Sequence, residues 1–207
     1  MKVLLINGSP HANGCTKAAL DEVDKALKEN GIETEHIHVG HKMIHGCIAC
    51  GKCSELQRCV FDDVVNEVAN KFENADGIVI GSPVYYASAA GTLTSFLDRL
   101  FFSTGKRFSK RMKVGAVVVS ARRAGTIATF DQLNKYFAIS QMPIATSQYW
   151  NEVHGYSADE VAQDEEGLQT MRVLGRNMAF LVKGIALAKK AYGLPEEEPW
   201  ICTNFIR

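Results

Sequence analysis

Short apolar runs alternate with stretches of helical period along this chain. Lys2-Val3-Leu4-Leu5-Ile6 is a β-branched apolar run of buried-strand type. After a polar turn, Ala18, Ala19, Leu20, Val23 and Leu27 recur at helical spacing, and Asn30-Gly31 is a stop signal. Ile32 to Val39 alternates apolar and polar, as a strand with one wet face does. A long loop over residues 40–61 follows. Val64, Val65, Val68 and Phe72 mark the next helix, with Asp62 and Asp63 at its start. Gly77 to Gly81 reads as a short apolar strand, Thr92 to Phe102 as a helix, and Met112 to Val119 as a strand. Ile127 to Ile139 has helical spacing, Pro143 to Trp150 reads as the fifth strand, and Asp164 to Tyr192 contains a long helix. Five strands alternating with helices predict a three-layer α/β fold, a doubly wound five-stranded parallel sheet in the order 2-1-3-4-5.

Composition narrows the class. A length of 207 residues with 46% apolar side chains suits a single domain over 1–207 with a good-sized core. The cysteine loop 40–61 is then an insertion and 193–207 a tail, whose Trp200, Phe205 and Ile206 are expected to pack on the body or on a second subunit. Lys plus Arg equals Asp plus Glu, 23 each, so a nucleic-acid partner is not expected. No apolar stretch approaches the length of a membrane span, and no signal-peptide pattern precedes the first strand. The expectation is a cytoplasmic protein whose six cysteines serve metal or redox work.

In such a sheet the loops after strands 1, 3 and 4 gather at one edge. The first is Asn7-Gly8-Ser9-Pro10-His11-Ala12-Asn13-Gly14-Cys15-Thr16. It lacks both G-x-G-x-x-G and the G-x-x-x-x-G-K-[ST] pattern, which disfavours those nucleotide sites. A strand running through hydroxyls and amides into a helix start suits one phosphomonoester. The second loop, Ser82 to Ser88, brings Pro83, Val84, Tyr85 and Tyr86, whose aromatic rings can stack on a flat heterocycle. The third supplies Ser120, Arg122, Arg123, Gly125 and Thr126. Together they describe a pocket for flavin mononucleotide (FMN). Cys15 reads as a small residue filling the turn. His36, His38, His41 and His45 read as a solvated edge face in preference to a metal site.

Cys47-x2-Cys50-x2-Cys53-x5-Cys59 is a compact four-thiolate spacing. With no second cysteine set, all four would serve one site, and thiolate count alone leaves iron–sulfur, zinc and free thiols open.

Several stretches resemble the flavodoxin-like NAD(P)H-dependent FMN reductase superfamily, in its iron-sulfur flavoprotein branch. They are Val3 to Pro10, the four-cysteine loop with Asp62-Asp63, Gly81 to Tyr86, Phe96-Leu97-Asp98-Arg99 and Leu174 to Met178. The resemblance implies bound FMN, NAD(P)H as co-substrate and a [4Fe–4S] cluster on Cys47, Cys50, Cys53 and Cys59. It also implies a homodimer or homotetramer. By position it sets Ser9, Asn13, Gly14, Cys15 and Thr16 around the phosphate and Pro83, Val84, Tyr85 and Tyr86 beside the ring. His11 stands where relatives often have Arg. The resulting expectation is an FMN-dependent oxidoreductase. It would pass electrons from NAD(P)H to a cluster, quinone, nitro or azo compound, or free flavin. A non-enzymatic FMN/iron–sulfur carrier is the alternative, and the cofactor would carry the chemistry without a catalytic side chain.

Overall fold

The structure is a computed structural model, and it describes residues 1–203. In chain order the elements begin β1 (Lys2–Asn7), α1 (Cys15–Glu29), β2 (Glu33–His38), α2 (Cys53–Leu56) and α3 (Val64–Glu73). They continue β3 (Gly77–Tyr85), β4 (Ser88–Ala89), α4 (Gly91–Thr104), β5 (Val114–Ala121) and α5 (Thr126–Ile139). The last are β6 (Glu152–His154), α6 (Ala158–Val161) and α7 (Glu165–Tyr192).

The parallel strands lie in the order β2-β1-β3-β5-β6, and β4 pairs antiparallel with the end of β3. The doubly wound architecture matches expectation. The strand count does not, because β3 runs on through Ser82 and Tyr85 and folds back as a hairpin. Pro83 falls where β3 has passed the end of β1, whose last pair is Asn7 with Gly81, so it sits at an edge on that side.

Alternation along the strands builds a core on each face. Leu4 and Ile6 of β1, Ile78 and Ile80 of β3, and Val117 and Val119 of β5 pack with Val68, Phe72, Phe96, Leu97 and Phe137 of α3, α4 and α5. Val3, Leu5, Val79, Ala116 and Val118 face α1 and α7. Each fully buried Val, Leu or Ile contributes roughly 1.5–3 kcal/mol. These two cores hold the C-terminal strand ends rigidly at one edge.

The fifth strand is displaced from its expected place. Ile144 makes only an isolated bridge with Gly115, and the ladder resumes at Glu152. Between them Ser147 Oγ donates to Thr170 O and Asn177 Nδ2 to Thr146 O, so α7 holds this segment away from the sheet. The 40–61 loop is interrupted by α2. In the tail, Arg111 binds Glu197 and the carbonyls of Pro195 and Glu196, while Trp200 is exposed. Phe205 and Ile206 lie outside the described residues. Among the described residues no helix is long and apolar enough to cross a membrane.

Candidate functional site

The turn after β1 is braced by its own polar groups. Ser9 N donates to Asn7 Oδ1 (3.0 Å), His11 N to Ser9 Oγ (3.2 Å) and Gly8 N to Gly81 O (2.9 Å). His38, at the end of the neighbouring β2, donates from Nε2 to Ser9 O (2.7 Å). Gly40 passes so close that a Cβ there would stand 2.1 Å from Ser9 O, so only glycine fits. Helix α1 then starts at Gly14 without a side-chain cap, as α4 and α5 also do, while α3 and α7 are capped by Asp63 and Asp164. The first N–H groups of α1, at the positive end of the helix dipole, have no side-chain partner.

Beside this helix start lies a cavity of about 500 Å³ at the C-terminal sheet edge. Ser9, His11, Gly14, Cys15 and Thr16 line one side of it. Pro83 and Tyr85 from β3 and Ser120 and Arg122 from the end of β5 line another. Ser9, Thr16 and Ser120 are almost fully buried, and Thr16 Oγ1 and Ser120 Oγ share a 2.8 Å hydrogen bond. Four predicted site residues do not line the cavity: Asn13, Val84, Tyr86 and Gly125. Asn13 is exposed in the turn. Tyr86 is fully exposed at the β3–β4 hairpin, with φ 51°. Val84 packs against the core, and Gly125 precedes α5 with φ 91°. Arg123 is exposed beside Arg122.

Gly155 and Tyr156 complete the lining, and sequence reasoning missed both. They follow β6, and with that strand expected to end at Trp150 no loop was anticipated there. Cys15 Sγ contacts Gly155 O at 3.5 Å. Burial pushes the Cys15 thiol above its ordinary pKa, so it stays neutral despite the helix start.

Cys47, Cys50, Cys53 and Cys59 line a second, small pocket together with Phe61, Arg99 and Phe102. Burial pushes the Cys53 thiol up, and the other three cysteines add to the effect by charge repulsion. Arg99 reaches the pocket from α4 and pairs with Asp63. Burial is the largest single effect and works against its charge, but the hydrogen bonds Arg99 donates to Asp63 and Cys59, with the Coulomb attraction of both, together outweigh it and hold the guanidinium above its ordinary pKa. Ligand atoms of three His, Cys, Asp or Glu side chains gather within 4.8 Å, among the described residues, at Asp21, Asp24 and His36 and not at the cysteines. Lys17 and Lys28 already pair with those two aspartates. Of the other histidines in this stretch, His41 packs on His38 and His45 stacks on Phe61.

A doubly wound parallel sheet with a crevice at its C-terminal strand ends defines a flavodoxin-like fold. The NADPH-dependent FMN reductase family model matches residues 1–156, and the chain belongs to that family. An iron-sulfur flavoprotein of Methanocaldococcus jannaschii is 36% identical over 192 residues, covering 88% of this chain and 98% of its own. An archaeal flavodoxin shares the fold with a TM-score of 0.60 at 16% identity, over 88% of this chain and 99% of its own. An NAD(P)H:quinone oxidoreductase of Methanothermobacter marburgensis does so with a TM-score of 0.66 at 15% identity, over 86% and 96%.

Proposed function

We propose that this chain is an FMN-dependent oxidoreductase that takes electrons from NAD(P)H and delivers them to an acceptor, by way of a [4Fe–4S] cluster on Cys47, Cys50, Cys53 and Cys59. The observation that carries the reading is the uncapped start of α1 facing the cavity beside buried Thr16 and Ser120. FMN, when bound, supplies two-electron chemistry with the nicotinamide and one-electron chemistry with the cluster. The protein's own part is positioning. Ser9, Thr16, Ser120 and the free α1 N–H groups would bind the phosphate, and Pro83, Tyr85 and Tyr156 would border the ring. Exposed Arg122 is suited to the phosphates of the nicotinamide nucleotide.

The four-cysteine donor set fits a cluster, since soft thiolates from one compact stretch line a single pocket. Zinc takes the same ligands, and the similarity to an iron-sulfur flavoprotein favours the cluster. Exposed Phe180 and Leu187 on α7 support a homo-oligomer.

Purification without oxygen, followed by a visible spectrum with iron and sulfide analysis, tests both cofactors. Steady-state NADH and NADPH oxidation with a quinone acceptor tests the reaction. The cysteine pocket also favours a second reading, a non-enzymatic FMN/iron–sulfur carrier. It predicts no turnover with either nucleotide but rapid reduction by a ferredoxin.

A further inference from the structure

Phe96-Leu97-Asp98-Arg99 ends in a side chain that the oxidoreductase reading leaves without a task. Arg99 is only 1% exposed, and it is the largest of the fully buried side chains. Asp63 accepts from Nη1 at 2.6 Å and from Nη2 at 2.9 Å, in a two-pronged pair. The same two nitrogens donate to His45 O and Phe61 O at 3.3 Å. The fifth donor, Nε, points at Cys59 Sγ, 3.3 Å away. The Phe61 ring lies 4.9 Å from the guanidinium carbon and closes that side.

Holding α4 to the start of α3 would need only Asp63 and the carbonyls. The bond to sulfur is additional, and it is asymmetric. Among the described residues it is the one hydrogen bond to a sulfur of the four pocket cysteines, the Asn66 side chain bonding only the backbone of Cys59. We propose that Arg99 is a positioning residue for the thiolate pocket. It fixes the Cys59 sulfur and, by donating to it, raises the reduction potential of the cluster held there. This rests on the cluster reading above.

Reduction adds one electron to the cluster. No bond forms or breaks at Arg99 and no proton moves, because a guanidinium stays charged in both states. The added electron raises the negative charge on the ligand sulfurs, so a donor aimed at one of them stabilises the reduced state more than the oxidised one. Asp63 offsets the same positive charge. Removing the Nε donor and removing the carboxylate should therefore move the potential in opposite directions. Loosening the fold would not separate them by sign.

The test uses oxygen-free holoprotein: wild type, Arg99→Lys and Asp63→Asn. Lysine keeps a cation for Asp63 but lacks the fork that reaches sulfur. Asparagine remains a good cap for α3. Each protein is titrated with dithionite, following the cluster by electron paramagnetic resonance and the flavin by absorbance. At the wild-type cluster midpoint, R99K should show a roughly tenfold lower reduced-to-oxidised ratio, about 59 mV for a one-electron couple. D63N should show a higher ratio, with the flavin potential unmoved in both. Variants that shift together or not at all, in protein loaded with iron and sulfide, overturn the inference alone. A wild type without iron or sulfide overturns the cluster reading and this inference together. If R99K binds FMN but does not load, iodoacetamide rates in cluster-free protein decide. Slower alkylation at Cys59 than in wild type, because a sulfur without its donor is less often a thiolate, supports the positioning role, and an unchanged or faster rate overturns it.

Discussion

Thr16 and Ser120 meet across 104 residues of chain, and neither has water to fall back on. A buried hydroxyl deprived of its partner costs about 1–3 kcal/mol. Thr16→Val keeps the shape of the helix start but removes both the bond to Ser120 and a donor toward the phosphate. FMN should then bind roughly tenfold more weakly, which corresponds to about 1.4 kcal/mol. Flavin fluorescence quenching reads this directly, and an unchanged Kd would move the phosphate away from this turn. Lys110 offers a different single-residue test. It is buried, with Nζ donating to Thr104 Oγ1 at 3.0 Å, and burial lowers its pKa to about 8 from 10.5, with Lys113 adding to the effect. Between those values the unfolded chain holds a proton that the folded chain has lost, so stability rises with pH through that window. Below pH 8 the whole penalty is present, roughly 3 kcal/mol as an upper bound. Lys110→Met should therefore be more stable than wild type at pH 7. The two should converge by about pH 10.5, in urea unfolding at matched cofactor loading.

Elements meet closely at two glycines. A Cβ on Gly175 of α7 would stand 2.6 Å from Ala26 Cβ and 2.9 Å from Val23 O, so α1 and α7 pack nearly backbone to backbone. Gly175→Ala adds one methyl where none fits, which costs about 1–3 kcal/mol, seen as a lowered urea midpoint with an unchanged slope. Gly40→Ala pushes on Ser9 O instead, and should weaken FMN binding more than it weakens the fold. The two substitutions thus separate a helix seam from a ligand turn. Such elements were largely readable in advance. Apolar runs, alternation and helical period locate β1, α1, β2, α3, α4, β5, α5 and α7, because the helices bury one stripe and the central strands β1 and β5 bury both faces. Three features were not readable. The residues 143–150 carry a strand's apolar pattern, but bonds to α7 draw them off the sheet, and Gly155 and Tyr156 were missed with them. The extension of β3 past β1 depends on its pairing with β5 and β4. Arg99 sits in an amphipathic helix where a charge ordinarily faces water, and its partner Asp63 lies 36 residues away. Periodicity carries no trace of that pairing.

Across the whole molecule, the cavity proposed for FMN and the cysteine pocket share no lining residue. The first draws on α1, β3, β5 and the segment after β6. The second is built from the 40–61 loop against α4. One link between them is the seam where His38 and Gly40, at the start of the loop, meet Ser9. If that seam transmits nothing, the two cofactors bind independently. The variant with Cys47, Cys50, Cys53 and Cys59 all changed to serine should then lose iron and sulfide yet bind FMN within twofold of wild type. Ligand at 100 times Kd stabilises the folded state by about 2.7 kcal/mol, and the increment depends only on the affinity for FMN. Thermal unfolding with and without FMN should therefore show the same gain in the serine variant and in wild type. A much smaller gain in the variant would mean that an ordered cysteine loop holds Gly40 against Ser9, and that the phosphate turn is formed only when the thiolate pocket is filled.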